Sequence, residues 1–211
     1  CVRNLSTVDD RSRRTELAAI PQPSPPLSTS PSARQPLRVA ALLSQRSVPE
    51  SVAAPCKDDA NCVVEALVRE AAANGAKLIV TPEYGLEQYE DEPFPARGVR
   101  PHVDNRKPFG PLLSRFAALA DEQDVYLVVN LITRTQPGRE HNSVIALDPE
   151  GRVVGRHHKF ELFGAEREEL TAGDAVTAFE TPFGRVGLLV CADIYGQPAM
   201  HRELMSDLDA R

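Results

Sequence analysis

The fold of this chain is decided by the stretch Phe183-Gly184-Arg185-Val186-Gly187-Leu188-Leu189-Val190-Cys191-Ala192-Asp193-Ile194. An apolar, β-branched run ends in a cysteine, and small and acidic residues follow at once. This pattern is typical of a buried strand that carries a reactive side chain to the rim of a sheet. Glu83 and Lys159 also follow strand-like segments, so we expect them to meet Cys191 in space. We interpret Cys191 as a candidate nucleophile.

Each of these three residues also has an ordinary structural explanation. Free cysteine is among the most buried residue types, so Cys191 would be a small core residue. Glu83 would be a solvated loop carboxylate and Lys159 a surface lysine. A nucleophilic thiol needs a partner base or cation, since a thiol with a pKa of about 8.5 is mostly protonated at pH 7. Glu83 is the candidate base.

The segments before residue 131 predict alternating strands and helices. Apolar runs predict buried strands at residues 37–43, 77–81 and 125–130. Helical spacing of apolar residues predicts a helix that starts near Asp59 and ends at Asn74-Gly75, and another over residues 108–123. The order β-α-β-α-β predicts the α/β class, with helices packed on a sheet.

The second half of the chain predicts two β-hairpins and a terminal helix. Turn residues separate the paired segments 142–148 and 152–158, and again 176–181 and 185–190. A helix is predicted over residues 198–208, because Pro198 suits a first helical turn. Residues 85–107 are a candidate substrate-covering loop, and residues 159–173 are expected to be irregular.

Composition limits the possible partners. The 211 residues carry a net charge of -6 without a basic cluster, which argues against nucleic acid as a partner. No apolar run approaches the roughly 18 residues that a membrane span needs. Residues 1–36 are polar and proline-rich, which predicts a disordered tether. The chain starts with Cys1 rather than Met, so we expect either an arbitrary fragment or a processed bacterial lipoprotein that carries lipid on Cys1. The second alternative implies attachment to a membrane and an extracytoplasmic location, secreted or anchored at the cell surface.

Three segments together resemble the nitrilase (carbon–nitrogen hydrolase) superfamily, and their details are most similar to its vanin and biotinidase branch. The segments are Ile79-Val80-Thr81-Pro82-Glu83, His158-Lys159-Phe160-Glu161-Leu162-Phe163 and Gly187-Leu188-Leu189-Val190-Cys191-Ala192-Asp193-Ile194. The resemblance covers residues 37–211 and implies an α-β-β-α sandwich. Chains of this family continue well beyond the nucleophile, so the resemblance implies that this chain is truncated at its C-terminus and lacks strands of the second sheet. It also implies a homodimer for the full-length form.

The resemblance implies a role for each candidate residue. Glu83 would be the general base, and Cys191 would attack an amide carbonyl to form a thioester. Lys159 and the backbone N–H of Ala192 would stabilise the oxyanion. Glu166 would position substrate or support proton transfer, although its run of charged residues is otherwise typical of a solvated helix face. Ala192 departs from the larger residue that many members carry.

These residues would hydrolyse a linear amide of a small molecule without a metal or cofactor. Pantetheine-like and biotin-amide-like compounds are the implied substrates. Two alternatives stay open: an acyl transferase that uses the same three residues, and a non-catalytic, surface-tethered binding or structural module that retains the fold.

Two other pairs of residues have candidate roles. His157 and His158 are adjacent in a predicted strand and point to opposite faces, so we do not expect them to share a metal ion. Cys56 and Cys62 are six residues apart at a helix start, which favours a local disulfide over two free thiols. A zinc site would need more soft ligands nearby.

Overall fold

A six-stranded mixed sheet forms the centre of the computed structural model, which describes residues 37–42, 48, 50–57, 59–86, 89–91, 110–196 and 198–209. The predicted tether over residues 1–36, including Cys1, lies outside the described residues. The strands of the sheet are β1 (Val39–Ala41), β2 (Leu78–Val80), β3 (Tyr89–Asp91), β4 (Tyr126–Gln136), β5 (Arg139–Leu147) and β6 (Val153–His158). Their order is β1-β2-β4-β5-β6, and β3 pairs with β4 as well.

Strand β4 organises this sheet because it pairs along both of its edges. On one edge β2 pairs in parallel with residues 126–128 of β4, and β3 pairs in parallel with residues 132–134. Residues 81–86, which include Glu83, therefore lie along the same edge beside the middle of β4, where Leu86 donates its N–H to the carbonyl of Asn130. On the other edge β5 pairs antiparallel with β4 and continues into the hairpin with β6. This double pairing explains why β4 is longer than the strand predicted over residues 125–130.

Two helices cover one face of the sheet. The helix α2 (Ala60–Ala73) follows a short helix α1 (Glu50–Ala53) and a 3-10 turn (Ala54–Cys56), and α3 (Pro111–Gln123) follows later in the chain. Asp59 caps α2 by accepting the N–H of Cys62 at 3.1 Å, and Gly75 follows its C-terminus with φ +84°. Apolar residues of both helices pack on the sheet in one core, including Val64, Val68, Phe116, Ile79 and Leu127.

The opposite face of the sheet packs against a second, two-stranded sheet. Strands β7 (Thr177–Thr181) and β8 (Gly184–Leu188) form the predicted antiparallel hairpin. Its Phe179 and Leu188 lie in a second core with Val128, Val144 and Ala146 of the large sheet. The terminal helix α5 (Pro198–Asp209) contacts the other side of this hairpin. The layers are helix, sheet, sheet and helix, which confirms the predicted α-β-β-α arrangement.

The structure corrects two details of the predicted loops. Residues Tyr89–Asp91 form a strand rather than part of a loop, because the second half of β4 offers them a free edge. Within the rest of the predicted substrate-covering loop, residues 87, 88 and 92–107 lie outside the described residues. The segment 159–173 contains a short helix, α4 (Glu166–Glu169).

Two further features are relevant to the compartment in which the protein is found: a disulfide and the lengths of the described helices. Cys56 and Cys62 form a disulfide with their Cα atoms 5.4 Å apart, at the start of α2. Across the described ranges, no helix is both long enough and apolar enough to cross a lipid bilayer.

Candidate active site

The residues that follow β2, β6 and β8 meet at one end of the two sheets. Nζ of Lys159 lies 2.7 Å from Oε1 of Glu83, and the thiol of Cys191 lies near enough to the same carboxylate for the two groups to interact. All three side chains border one open cavity of about 380 Å³. Other residues that line it are Tyr84, Ile132, Phe163, Ala165, Glu166, Glu169 and Leu170. The structure thus brings together the three residues that the sequence singled out.

Glu83 is held in place by hydrogen bonds between its loop and β4. The N–H of Tyr84 donates to Oδ1 of Asn130 at 2.5 Å, and the N–H of Leu86 donates to the Asn130 carbonyl at 3.1 Å. Tyr84 has φ +53°, a conformation that non-glycine residues adopt rarely. This tight turn lets the chain leave β2 and still direct the Glu83 side chain towards Lys159.

Lys159 is almost fully buried, with 2% of its surface exposed. Its backbone N–H donates to the carbonyl of Asn142 at 2.8 Å, directly after β6 ends. Its ammonium forms ion pairs with Glu83 at 2.7 Å and with Glu166 at 2.8 Å. Burial opposes the charge, but the hydrogen bonds to the two carboxylates outweigh it and raise the pKa of Lys159. The cavity therefore contains a permanent, fixed cation.

Cys191 opens a 3-10 turn, Cys191–Ile194, directly after the last apolar residues of the hairpin. It has φ +43°, a strained conformation that costs on the order of 1–3 kcal/mol and persists only where its surroundings impose it. The residue is exposed, in contrast to the buried core cysteine of the alternative interpretation. The backbone N–H of Ala192 lies near the sulfur and favours its ionised form. The turn therefore presents the thiol to the cavity.

The electrostatic surroundings of the thiol favour its neutral form at rest. Partial desolvation, the hydrogen bond to Glu83 and the negative charge of that carboxylate raise the pKa of Cys191. Lys159 and the N–H of Ala192 oppose this shift only in part. The thiol thus has a base in contact with it, and its proton must move before the sulfur can attack.

The strained turn at Cys191 is anchored by the buried side chain of Asp193. Its Oδ2 accepts the N–H of Val190 at 2.9 Å and the Nε2–H of His157 at 2.8 Å. Its Oδ1 accepts the backbone N–H groups of Phe160 at 3.1 Å and Glu161 at 2.9 Å. One carboxylate therefore ties the turn that carries Cys191 to the segment that carries Lys159.

Glu166 points into the site rather than into solvent. Besides Lys159, it accepts hydrogen bonds from the Tyr84 hydroxyl, from Nδ2 of Asn142 at 2.8 Å and from the N–H of Phe163 at 2.9 Å. Burial opposes ionisation, but these hydrogen bonds outweigh it and lower the pKa of Glu166 to about 2. Its neighbours Glu168 and Glu169 are exposed, and they form the solvated helix face that the run of charged residues suggested.

Besides Asp193, sequence reasoning missed three further polar residues that hold the site together. Asn130 on β4 and Asn142 on β5 are buried and hydrogen-bonded to each other at 2.8 Å, and Tyr84 contacts Glu166. Both asparagines lie in apolar strands, where a buried amide requires polar partners. An asparagine within an otherwise apolar strand was therefore the sequence feature that could have indicated these buried positions.

The two adjacent histidines face different surroundings. His157 contacts Asp193, whereas His158 lies 2.8 Å from the Ser143 hydroxyl and stacks on His141. Among the described residues, no group of three or more His, Cys, Asp or Glu side chains is arranged to hold a metal ion.

Comparison with known proteins shows the family to which this chain is related. The model of the family described as carbon-nitrogen hydrolase matches residues 60–206. The pantetheinase of Canis lupus familiaris is 31% identical in an alignment of 157 positions that covers 63% of this chain and 30% of the relative. Omega-amidase NIT2 of Xenopus tropicalis is 30% identical in an alignment of 137 positions that covers 61% of this chain and 47% of the relative. The chain thus spans about a third to a half of these curated relatives.

A solved structure shares the fold. The amidase from Nesterenkonia sp. matches with a TM-score of 0.55 at 21% identity, over 70% of this chain and 54% of its own. Since the family model covers well over half of the chain, this chain belongs to the carbon-nitrogen hydrolase family.

Proposed function

We propose that this chain carries the site of a thiol amidohydrolase, which cleaves a linear, non-peptide carbon–nitrogen bond through a thioester on Cys191. The observation that carries the proposal is the meeting of Cys191, Glu83 and Lys159 at one cavity. A nucleophile, a proton acceptor and a fixed positive donor are the three groups that amide hydrolysis needs. The cavity volume of about 380 Å³ suits a small molecule.

In the first half of the reaction, Glu83 takes the proton of the Cys191 thiol as the sulfur attacks the amide carbonyl. A carbon–sulfur bond forms, and the carbonyl oxygen becomes an oxyanion. The protonated Glu83 then gives the proton to the leaving nitrogen, the carbon–nitrogen bond breaks, and the amine departs. The acyl group stays on Cys191 as a thioester.

In the second half, water replaces the amine. Glu83, again ionised, takes a proton from the water as its oxygen attacks the thioester carbonyl. The carbon–sulfur bond breaks, the thiolate recovers its proton from Glu83, and the carboxylic acid leaves. Atoms and charges balance without a cofactor.

Lys159 and Ala192 stabilise the oxyanion in this scheme. An ammonium has three N–H donors, and the described contacts of Lys159 use two of them, on Glu83 and Glu166. The third is available to the developing oxyanion, together with the backbone N–H of Ala192. Glu166 keeps Lys159 charged and in place, so it acts through the lysine.

Sequence similarity supports the proposed substrate class. Motifs of the vanin and biotinidase branch occur in the sequence, and a pantetheinase and an omega-amidase are among the relatives. We therefore propose pantetheine-like or biotin-amide-like linear amides as substrates, with the omega-amides of small acids as the comparison class.

An extracytoplasmic location fits the disulfide between Cys56 and Cys62, because disulfides persist mainly in oxidising compartments. Lipidation of Cys1 and assembly into a homodimer stay predictions of the sequence. Mass spectrometry of the protein isolated from its native membrane would detect acyl groups on Cys1.

A panel of amides tests the proposed function. The full chain is incubated with pantetheine, with biotin amides and with omega-amides, and amine release is followed together with the acid product. We expect release of both products in equal amounts, and loss of both in Cys191→Ala. Release of the amine with transfer of the acyl group to an added amine would instead indicate the acyl transferase. A folded chain that releases no amine from any member would support the non-catalytic module.

A further inference from the structure

Asn142 is fully buried on β5, and its side-chain NH2 group donates to two carboxylates at once. Nδ2 lies 2.9 Å from Oε1 of Glu83 and 2.8 Å from Oε1 of Glu166. A side-chain amide has two N–H donors, so both are used. Asn142 thus binds the same two carboxylates as Lys159, from a rigid position in the centre of the sheet.

The orientation of this amide is fixed by its neighbour Asn130 on β4. Nδ2 of Asn130 donates to Oδ1 of Asn142 at 2.8 Å and to the carbonyl of Ser143 at 3.0 Å. The opposite assignment of the Asn142 amide would set its oxygen against two carboxylates and its NH2 against another NH2. Asn130 also accepts the N–H of Tyr84, the residue after Glu83. The two asparagines therefore hold both the backbone and the carboxylate of the Glu83 loop.

This arrangement makes the two oxygens of Glu83 unequal. Oε1 accepts from Nζ of Lys159 at 2.7 Å and from Nδ2 of Asn142 at 2.9 Å. With two donors already on Oε1, Oε2 is the oxygen of Glu83 left to accept the proton of the Cys191 thiol. We propose that Asn142 is a positioning residue that holds Oε1 of Glu83 and thereby presents Oε2 to the thiol. The inference rests on the proposed function for the role of Glu83 as proton acceptor.

As a consequence, the Glu83 carboxylate can accept and return the proton without rotating. The proton moves from Sγ of Cys191 to Oε2 of Glu83 and then from Oε2 to the leaving nitrogen, while Lys159 and Asn142 stay on Oε1. Loss of Asn142 leaves Lys159 as the remaining holder of Oε1, so the carboxylate can turn away from the thiol. A misplacement of about 1 Å at a reacting group can cost on the order of 100-fold in rate.

The test compares Asn142→Leu with Ser143→Ala in a Cys1→Ser background, which leaves Cys191 as the one thiol outside the disulfide. Ser143 is the matched control, since it is equally buried, lies next in β5, and directs its hydroxyl to Thr133 and His158. The first readout is the pH midpoint for alkylation of Cys191 by iodoacetamide, which needs no turnover. In Asn142→Leu we expect this midpoint to move to lower pH, because the thiol loses its fixed hydrogen-bond acceptor. In Ser143→Ala it stays at the wild-type pH.

The second readout is the kinetics of amide hydrolysis. We expect kcat of Asn142→Leu to fall about 10- to 100-fold with KM within about threefold of wild type. Asn142→Ser, whose short hydroxyl cannot reach both carboxylates, is a milder variant with the same expected direction. An Asn142 variant that matches Ser143→Ala in both readouts would overturn the inference. If wild type hydrolyses no amide while Asn142→Leu still shifts the alkylation midpoint, the proposed function fails and the positioning role of Asn142 stands.

Discussion

The carboxylate of Asp193 and the imidazole of His157 are joined by a hydrogen bond of 2.8 Å, and neither side chain is exposed to solvent. His157 lies near the end of β6, two residues before Lys159, while Asp193 lies two residues after Cys191. The bond thus connects the two segments that carry the proposed oxyanion donor and the proposed nucleophile. Because these segments belong to different sheets, the distance between Lys159 and Cys191 depends on this buried contact.

Substitution of Asp193 by Asn should therefore destabilise the protein and inactivate it. The new NH2 group must face two backbone or ring N–H donors, whichever way the amide turns. We expect the free energy of unfolding to fall by about 2–4 kcal/mol, as buried donors lose their acceptor. Urea unfolding measures this loss. Asp121→Asn, on an exposed position of α3, should stay within about 0.5 kcal/mol of wild type.

Removal of the Lys159 ammonium should reduce turnover more than substrate binding. Lys159→Met keeps much of the buried side chain but leaves Glu83 and Glu166 facing each other without their shared cation. We expect kcat to fall on the order of 10²–10³-fold, the usual cost of one oxyanion donor. Steady-state kinetics with the best amide of the panel measures this change. Lys77→Met, which removes an exposed ion pair with Asp124, should keep wild-type kcat, and a similar loss there would point to a general effect on folding.

Glu166 should make stability depend on pH in the acid range. Its pKa in the folded protein is about 2, below its ordinary value of 4.5, so the folded state favours the ionised form. Its contribution is present above pH 5 and is lost as the pH falls towards 2. We expect Glu166→Gln to lose up to about 3 kcal/mol at neutral pH and to approach wild-type stability near pH 2.

The measurement for Glu166 is a series of urea unfolding curves between pH 2 and pH 7. Glu168→Gln, an exposed neighbour on α4, provides the control and should follow the wild-type curve. A constant difference between Glu166→Gln and wild type over the whole pH range would show that the carboxylate charge of Glu166 does not stabilise the fold.

The described wall of the cavity should select against anionic substrates. It contains Glu83, Glu166 and Glu169, while its described cation, Lys159, is paired with two of them. We expect a neutral amide to have a higher kcat/KM than an amide of equal size that carries a carboxylate. Glu169→Gln should raise kcat/KM for the carboxylate substrate about 3- to 10-fold at low salt and less at high salt. Glu168→Gln removes the same charge beside the cavity and should have a smaller effect.

Patterns along the chain predicted the elements of the fold because most strands and helices here bury one clear apolar face. The helices α2 and α3 and both hairpins follow from such spacing and from turn residues, whereas the α-β-β-α order was implied by the resemblance to the nitrilase superfamily. The strand β3 was not predictable, since Tyr89–Asp91 has no apolar pattern and is defined by the edge of β4 that receives it. A segment of three residues has no sequence pattern of its own that would indicate pairing with a distant strand.

From the residues alone, the candidate site was predictable where a reactive residue lies just beyond a strand, while Glu166 and Ala192 were predicted through the family resemblance. Glu83, Lys159 and Cys191 have that position, and their order matches the family. Asn142 and Asp193 are ordinary residues in sequence, and their importance comes from contacts with segments 24 to 59 residues away. The sequence of Glu166 suggested a solvated helix, because neighbouring charges hide the one carboxylate that turns inward.

The central claim is that the acyl group of the substrate becomes bonded to Cys191. The most direct measurement is mass spectrometry of the protein quenched in acid during turnover, followed by digestion and sequencing of the peptide that contains residue 191. We expect wild type to carry the acyl mass on Cys191 and Cys191→Ala to carry none and to release no amine. Amine release by a folded Cys191→Ala protein at the wild-type rate, or an acyl group found on another residue, would contradict the account.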